Sequence, residues 1–495
     1  MNISRRWFIG SAAASVAFGG CRFFSAPSGM FSSGKPNMSF GVVSDVHILF
    51  DPKTKAVSKS ADTTTFERTL KWFRDQGVDA VVIAGDIADK GIVEELQAIA
   101  DTWFKVFPNN KAPDGRTVEK IFVSGNHDME GFKYGDFGKK YFQNPAERAK
   151  HYLVTDFKGN WEKIFHEEYN TIYSKCVKGY TFIGQHWGNQ GWGKNCKFDL
   201  IKPFMEKNAS KIVDPSLPFF YAQHPHPKDT CYGSNVWGHD TGVVTEVLSA
   251  FPNAVAFSGH SHNTLVDDRS IWQGAFTSLG TASLRYSSVF DEDVSKVGYE
   301  NKGDNSKGKF DSMKVMRKVN TYDSRQGLLV KVFADCMTIA RREFVAGCSL
   351  GDEWVIPLST AESKPYSFAE HAKKTLVPEF PCNAKVVVKK EKATNRNKEA
   401  KQAYVVSFPK ADAVESARLL DYEIRVEVEG DAKKSLVRHM LSLGHNKGTA
   451  AIKNIPEFNF KIACDLLPAG KKVRFVVSPR ESFGKKGKSI CSDWI

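Results

Sequence analysis

Short apolar runs that end in glycine-rich polar clusters recur through the first two thirds of the chain. Residues 38–43, 80–84, 120–124, 181–184, 217–222 and 254–258 each read as a buried strand. Helical spacing of apolar residues lies between them at 63–74, 92–106 and 241–250. This alternation predicts an α/β layered unit with helices outside the sheet. Residues 326–333 and 337–344 read as a β-hairpin that closes the unit. The stretch 129–170, rich in Lys, Tyr and Phe, is a long insertion, expected to form a wall or lid over the sheet edge.

Beyond a linker at 351–365 the pattern becomes strand-only, with alternating runs at 385–390, 402–408, 422–428, 436–441, 458–463 and 473–477. This predicts a smaller all-β sandwich over 366–495, of immunoglobulin or fibronectin type III shape with about seven strands. Two folded units suit 495 residues, too many for one ordinary core.

Composition removes several classes. A 41% hydrophobic content excludes a mostly disordered chain, and no apolar run reaches the roughly 18 residues of a membrane span. Lys and Arg number 69 against 56 Asp and Glu, a net charge of +13. The excess is local: residues 366–495 hold 25 Lys/Arg and 15 Asp/Glu, while the middle of the chain is near neutral. That basic tail reads as a solvated face or as a patch for anionic lipid or polysaccharide. A nucleic-acid partner is disfavoured, because aromatic residues are not interleaved with the charges. Lys485-Lys486-Gly487-Lys488 is the local candidate for an anion contact, or an exposed turn.

Ser4-Arg5-Arg6-Trp7-Phe8-Ile9, a weakly apolar stretch and Gly19-Gly20-Cys21 resemble a twin-arginine export signal with a lipoprotein cleavage site. Residues 1–21 are then an address and 22–37 a flexible tether. The expected location is exported, in the periplasm or anchored through Cys21 at the outer membrane of a Gram-negative envelope. Setting Cys21 aside, eight cysteines permit disulfides in that compartment, with Cys336–Cys348 and Cys464–Cys491 as candidates.

The chemistry is concentrated where the strands end. Ser44-Asp45-Val46-His47, Gly85-Asp86-Ile87-Ala88-Asp89, Gly125-Asn126-His127-Asp128, Gln223-His224-Pro225-His226 and Gly259-His260-Ser261-His262 each follow an apolar run. In α/β sheets, ligands gather beyond the carboxyl ends of the strands. One Asp-x-His or one lone histidine is usually a hydrogen-bonded structural feature; five such groups in order are not. Mixed Asp, Asn and His donors suit borderline divalent cations such as Mn, Fe or Zn, and this many donors suit two ions bridged by a carboxylate. His224 comes first off its strand and is favoured over His226 as a ligand, with both left open; His186 and His239 read as structural or substrate-facing.

This ordered set resembles the calcineurin-like metallophosphoesterase family, over residues 36–351. The resemblance implies two mixed sheets packed together and flanked by helices, spanning 38–350. It implies that Asp45, His47, Asp86 and His262 hold one divalent cation, and that Asp86, Asn126, His224 and His260 hold the other. His127 would serve as proton donor to the leaving oxygen or as a charge stabiliser, with Asp128 orienting its ring and Asp89 in a supporting place. The implied reaction is hydrolysis of a phosphomonoester or phosphodiester by in-line attack of a hydroxide held between the cations. The first motif and Asp89 disfavour the purple acid phosphatase branch, and the C-terminal unit is smaller than that of the periplasmic nucleotidases. Two rivals stand beside this reading. One is a nucleotide-directed phosphatase or nuclease, for which Lys133, Tyr134, Lys139 and Lys140 would line a groove. The other is a surface binding protein whose β-sandwich works on a metal-domain scaffold.

Overall fold

The computed structural model describes residues 34–58, 61–188, 197–234, 237–288, 324–358, 363–394, 400–411, 419–431, 436–442 and 457–495. The twin-arginine segment, Cys21 and Cys196 lie outside them. Two sheets form the first unit. One runs in the order Cys348–Ser349, Cys336–Glu343, Gln326–Val332, Met38–Val43, Ala80–Ala84, Glu119–Val123, with Trp354–Pro357 pairing on Cys336–Glu343. The other runs Ile271–Gln273, Thr277–Gly280, Ala254–Ser258, Phe219–Ala222, Tyr180–Gln185, Ile172–Val177. Both sheets are mixed. Met38–Val43, Ala80–Ala84 and Glu119–Val123 are parallel, as are Tyr180–Gln185, Phe219–Ala222, Ala254–Ser258 and Thr277–Gly280. The parallel strands are continuous apolar runs because both of their faces are covered.

Side-chain alternation sorts those faces. Phe40, Val42, Val82 and Ile121 point between the sheets and meet Phe182, Phe220 and Phe257. There Phe40 packs edge-on against Phe220 with ring centroids 4.7 Å apart, a favoured aromatic geometry. Val43, Val81, Ile83 and Phe122 point outward onto helices Ala61–Asp75 and Val93–Val106. The long insertion folds as short helical pieces at Asn126–Glu130, Phe137–Tyr141, Pro145–His151 and Phe157–Phe165. It has its own small core of Phe50, Ile92, Phe132, Phe137 and Phe142. No helix among the described residues is long and apolar enough to cross a membrane.

The C-terminal region is a second β unit. Val387–Thr394, Ala400–Pro409 and Glu457–Ala463 form one antiparallel sheet, and Leu436–Leu441, Leu419–Val428, Val473–Glu481 and Ile490–Cys491 form another. Phe408, Tyr422, Ile424, Phe458 and Phe475 fill the space between them. The chain passes from the first sheet to the second after Ala400–Pro409, returns for Glu457–Ala463 and crosses again, as a Greek-key sandwich does. The lead-in docks this unit: Tyr366 exchanges backbone and side-chain hydrogen bonds with Gln273 on the edge strand of the second sheet. Helix Phe368–Lys374 sets His371 and Phe368 against Phe483.

The expected disulfides do not form: Cys176, Cys231, Cys336, Cys348, Cys382, Cys464 and Cys491 are all free. Cys336 pairs in register with Pro357 and Cys348 with Glu343, which holds the two thiols at different levels of one sheet. Cys464 follows a strand of one sheet of the sandwich, and Cys491 lies on the edge strand of the other. The basic cluster is also engaged, with Lys485 donating to the Ala372 carbonyl and Lys486 paired with Glu423 at 2.6 Å.

In the sandwich a buried carboxylate is paired with a partly exposed guanidinium. Asp421, fully buried, receives two guanidinium hydrogen bonds from Arg480 at 2.9 and 2.6 Å and lies 3.3 Å from His439 Nδ1. Burial opposes charge on its carboxyl, yet Arg480 and His439 hold its pKa far below the usual range. Removing one partner of such a pair strands the other charge. Asp421→Ala is therefore expected to destabilise the protein by about 3–5 kcal/mol, read by urea denaturation followed by Trp494 and tyrosine fluorescence. A change within about 0.5 kcal/mol, ordinary for a surface substitution, would show that the pair is energetically idle.

Candidate metal centre

All five motif loops leave the carboxyl ends of parallel strands, so their side chains share one edge of the two-sheet stack. The loops are tightly wound. Asp45, His47, Asp86, His260 and His262 have φ of 51°, 45°, 51°, 68° and 55°, the left-handed region that non-glycine residues avoid. The glycines between them admit close approach: a Cβ on Gly125 would lie 2.2 Å from Asp86 Oδ1, and one on Gly259 2.2 Å from Asp45 Oδ2.

Three groups of donors result among the described residues, one of them, His47, Asp89 and His127, only partly buried; the other two are buried. Asp45, His47, Asp86 and His262 converge in one, and Asp86, His224 and His260 in the other, with Asp86 common to both. Three of the four imidazoles are held by an outer partner that leaves the other nitrogen for the cluster. His47 Nδ1 donates to Asp89 Oδ1 at 3.1 Å, His262 Nδ1 to the Tyr286 carbonyl at 3.0 Å and His224 Nδ1 to the Ala84 carbonyl at 2.9 Å. Such outer partners fix the tautomer of a metal-ligating histidine. The remaining atoms face one another: His47 Nε2 and His262 Nε2 are 3.2 Å apart, and His224 Nε2 lies 3.1 Å from His260 Nδ1 and 3.0 Å from Asp86 Oδ2. Asp45 Oδ1, 2.9 Å from His262 Nε2, and Asn126 Oδ1 are buried with no hydrogen-bond partner. Lone pairs converging in this way fit two divalent cations.

The charge balance agrees. Burial alone would neutralise Asp45 and Asp86, yet the surrounding histidines hold both carboxyls well below the usual range. Burial likewise opposes charge on His47 and His224, but the carboxylates override it and raise them to about 10 and about 9. A pocket that pulls protons onto imidazoles this strongly is a pocket for cations.

His127 sits at the rim with its Nδ1 donating to the Asp89 carbonyl at 2.8 Å, its ring edge-on to His47. Its own pKa is lowered, chiefly by burial. Asp128, expected to orient that ring, does not touch it. Its carboxylate accepts from the backbone N–H groups of Gly125, Ala88 and Ile87 at 2.7, 2.7 and 3.1 Å, and so ties the second and third motif loops together. Asp89 takes the orienting place, its carbonyl on His127 and its carboxylate on His47. The choice between the two histidines of the fourth loop falls to His224. His226 is spanned by the Ser258 and Ser261 hydroxyls, each at 2.7 Å. His186 accepts from the Ser124 N–H at 3.0 Å inside an aromatic cage, and His239 donates to the Cys231 carbonyl at 3.0 Å.

Four aromatic residues at the site carry no sequence motif. Trp187 is buried beside His224 and His260, half-exposed Trp237 stacks on His260 at 4.4 Å, Tyr286 lies on His262 at 4.2 Å, and Tyr134 reaches Asn126. Only the exposed Lys- and Tyr-rich character of the insertion hinted at any of them.

The family model described as calcineurin-like phosphoesterase matches residues 38–264. This domain belongs to that family. Together with its donor set, membership makes the calcineurin-like domain a metal-dependent phosphoester hydrolase. Its two sheets continue past the matched segment through Trp354–Pro357. No curated protein matches the chain. Among solved structures, a dimetal phosphatase from Danio rerio is similar at 10% identity and a TM-score of 0.35, over 66% of this chain and 100% of that one. A purple acid phosphatase from yellow lupin (Lupinus luteus) seeds is similar at 13% identity and a TM-score of 0.35, over 67% of this chain and 57% of that one. A vacuolar protein sorting 29 structure from Cryptosporidium parvum is similar at 7% identity and a TM-score of 0.27, over 65% and 97%.

The raised imidazoles of the calcineurin-like site give a pH signature. Without cations, His47 and His224 keep their protons up to about 10 and about 9, and ligation requires each nitrogen bare. Cation binding at pH 7.5 is therefore expected to release protons, and affinity to rise as pH increases toward 9. Calorimetric Mn²⁺ titrations in buffers of different ionisation enthalpy should give buffer-dependent heats; identical heats would mean that both rings are already neutral.

Proposed function

We propose that the protein is an exported phosphoesterase that hydrolyses a phosphomonoester or phosphodiester with two divalent cations, Mn, Fe or Zn, at the strand-end site. The observation that carries this reading is the sharing of Asp86 between two donor groups, with Asn126 Oδ1 and Asp45 Oδ1 left unsatisfied beside it. Asp45, His47, Asp86 and His262 would hold one cation; Asp86, Asn126, His224 and His260 would hold the other. When bound, the pair supplies Lewis acidity toward the phosphoryl oxygens and an acidified water as nucleophile.

The chain's own groups do the rest. His127 presents its Nε2 at the rim, because Nδ1 is committed to the Asp89 carbonyl. A proton carried on that nitrogen would be positioned for the leaving oxygen; the neighbouring Asp86 and Asp89 carboxylates favour the charged ring, but burial outweighs them and keeps its pKa low, so the proton is readily given up. Burial of the ligand carboxylates excludes bulk water, which strengthens every charge interaction in the site. Export is supported by Ser4-Arg5-Arg6 and lipid anchoring by Gly19-Gly20-Cys21. A folded, metal-loaded domain is a suitable cargo for a twin-arginine route.

Mn-loaded protein assayed on p-nitrophenyl phosphate and bis-p-nitrophenyl phosphate is expected to turn over at least one of them. Loss of His127 as acid catalyst should cost about 10²–10⁴-fold in kcat, so His127→Ala should fall in this range with its metal content intact. Asp86→Ala should lose both cations and activity together. Two cations bound without turnover of either ester would sink the phosphoesterase reading in favour of a binding scaffold.

A further inference from the structure

Asn126 is the one amide among the ligands proposed above, and an amide has two ends. Only Oδ1 can ligate a cation; Nδ2 would turn two hydrogens toward it. Something must therefore decide which end faces the site. In the structure Asn126 Nδ2 donates to the Tyr134 hydroxyl at 3.2 Å, leaving Oδ1 buried and unpartnered, while the next residue's N–H donates to Asp86 Oδ1 at 2.8 Å and so ties this loop to the donor cluster. The Tyr134 hydroxyl in turn points at Glu130 Oε2 at 3.5 Å, and Glu130 Oε1 is 3.4 Å from Trp187 Nε1, which donates to it. The donors thus run one way, from amide to phenol to carboxylate, with Trp187 closing the far end.

Backbone geometry brings Tyr134 there. It lies in the turn Gly131–Asp136, where Tyr134 has φ −64° and ψ 123° and Gly135 has φ 61°, so the chain reverses directly after it. The ring is carried back over the Asn126–Glu130 helix and meets His127 edge-on with centroids 5.1 Å apart. Phe132 and Phe137, on either side of the turn, are buried in the small core of the insertion. That core clamps the turn and so sets the position of the phenol.

We propose that Tyr134 is a positioning residue for the second cation: its hydroxyl accepts the Asn126 amide hydrogen and thereby aims Oδ1 at the metal. This rests on the two-cation reading of the site. It also gives the insertion a direct part in the metal centre, beyond the wall expected of it.

A double-mutant comparison separates orientation from packing. Tyr134→Phe keeps the ring and removes the acceptor. Outer partners of metal ligands are typically worth about 10–100-fold in affinity, so Mn²⁺ affinity at one of two sites should fall in that range by calorimetric titration, with the other site unchanged. In an Asn126→Asp background the ligand has two equivalent oxygens and no amide to orient, so Tyr134→Phe should then change affinity less than about threefold. Thermal melting of each metal-free variant tests for a folding defect. An equal loss in both backgrounds, or no loss in either, overturns the assignment. Fewer than two Mn²⁺ bound by the unmodified chain would overturn the two-cation reading itself, and this control is read before any variant.

Discussion

His47 and His262 bring their Nε2 atoms within 3.2 Å of each other beside the Asp45 and Asp86 carboxylates, and this crowding of donor atoms calls for positive charge between them. In the metal-free chain protons fill the place, which is why His47 and His224 are driven so far upward. The rest of the first domain serves that crowding. Parallel strands in two sheets bring five loops to one edge. Asp128 and Glu95 then lock the loops to one another through backbone N–H groups, Glu95 reaching Phe50 and Lys90 at 2.7 and 2.8 Å. Neither carboxylate needs a metal to do this. Both are pushed upward in pKa, Asp128 to about 7, chiefly by burial and then by a neighbouring carboxylate, Asp86 for Asp128 and Asp89 for Glu95, while the backbone N–H bonds they accept pull the other way.

The donors themselves were legible in the sequence because metal chemistry is local. Asp45 and His47, or His260 and His262, are two residues apart, and a single turn after a strand can aim both. Their strand contexts were equally plain, since Ala80–Ala84 and Ala254–Ser258 are buried throughout and read as unbroken apolar runs. What could not be read depends on distance along the chain. Asp128 stands next to His127, and adjacency suggested a contact. The backbone instead turns the carboxylate toward Ala88, forty residues away in sequence, and gives the ring to Asp89. Edge strands such as Ile172–Val177 are half exposed and lack a clean apolar run, so they carried no signal. The cysteine pairings failed for a similar reason: spacing along the chain says nothing about register across a sheet.

The second β unit shows how little a net charge specifies. Some of its basic residues are engaged by acidic neighbours: Lys401 by Asp465, Lys461 by Glu391, Arg474 by Glu427 and Lys486 by Glu423, at 2.5–2.6 Å among exposed or half-exposed side chains. Surface pairs of this kind contribute little stability each, but they dissipate the field that a polyanion would need. The lead-in from Tyr366 has a more definite role. Pairing with Gln273 covers an edge strand whose free N–H and C=O groups would otherwise invite another chain.

The calcineurin-like domain is an unfavourable design for a mere scaffold. Five non-glycine residues with left-handed φ each cost about 1–3 kcal/mol of backbone strain, and Asp45 Oδ1 and Asn126 Oδ1 are removed from water with no hydrogen-bond partner. A domain that only had to present the β-sandwich would be more stable with apolar loops at the same strand ends. Bound cations would offset part of that cost, because a ligand bound only by the folded state stabilises it by about 2.7 kcal/mol at a hundredfold excess over its Kd. They do not account for His127, which contributes no strand, fills no core and lies at the rim with one nitrogen held and the other offered outward. A group placed in that way is intelligible as part of a reaction and not as part of a support.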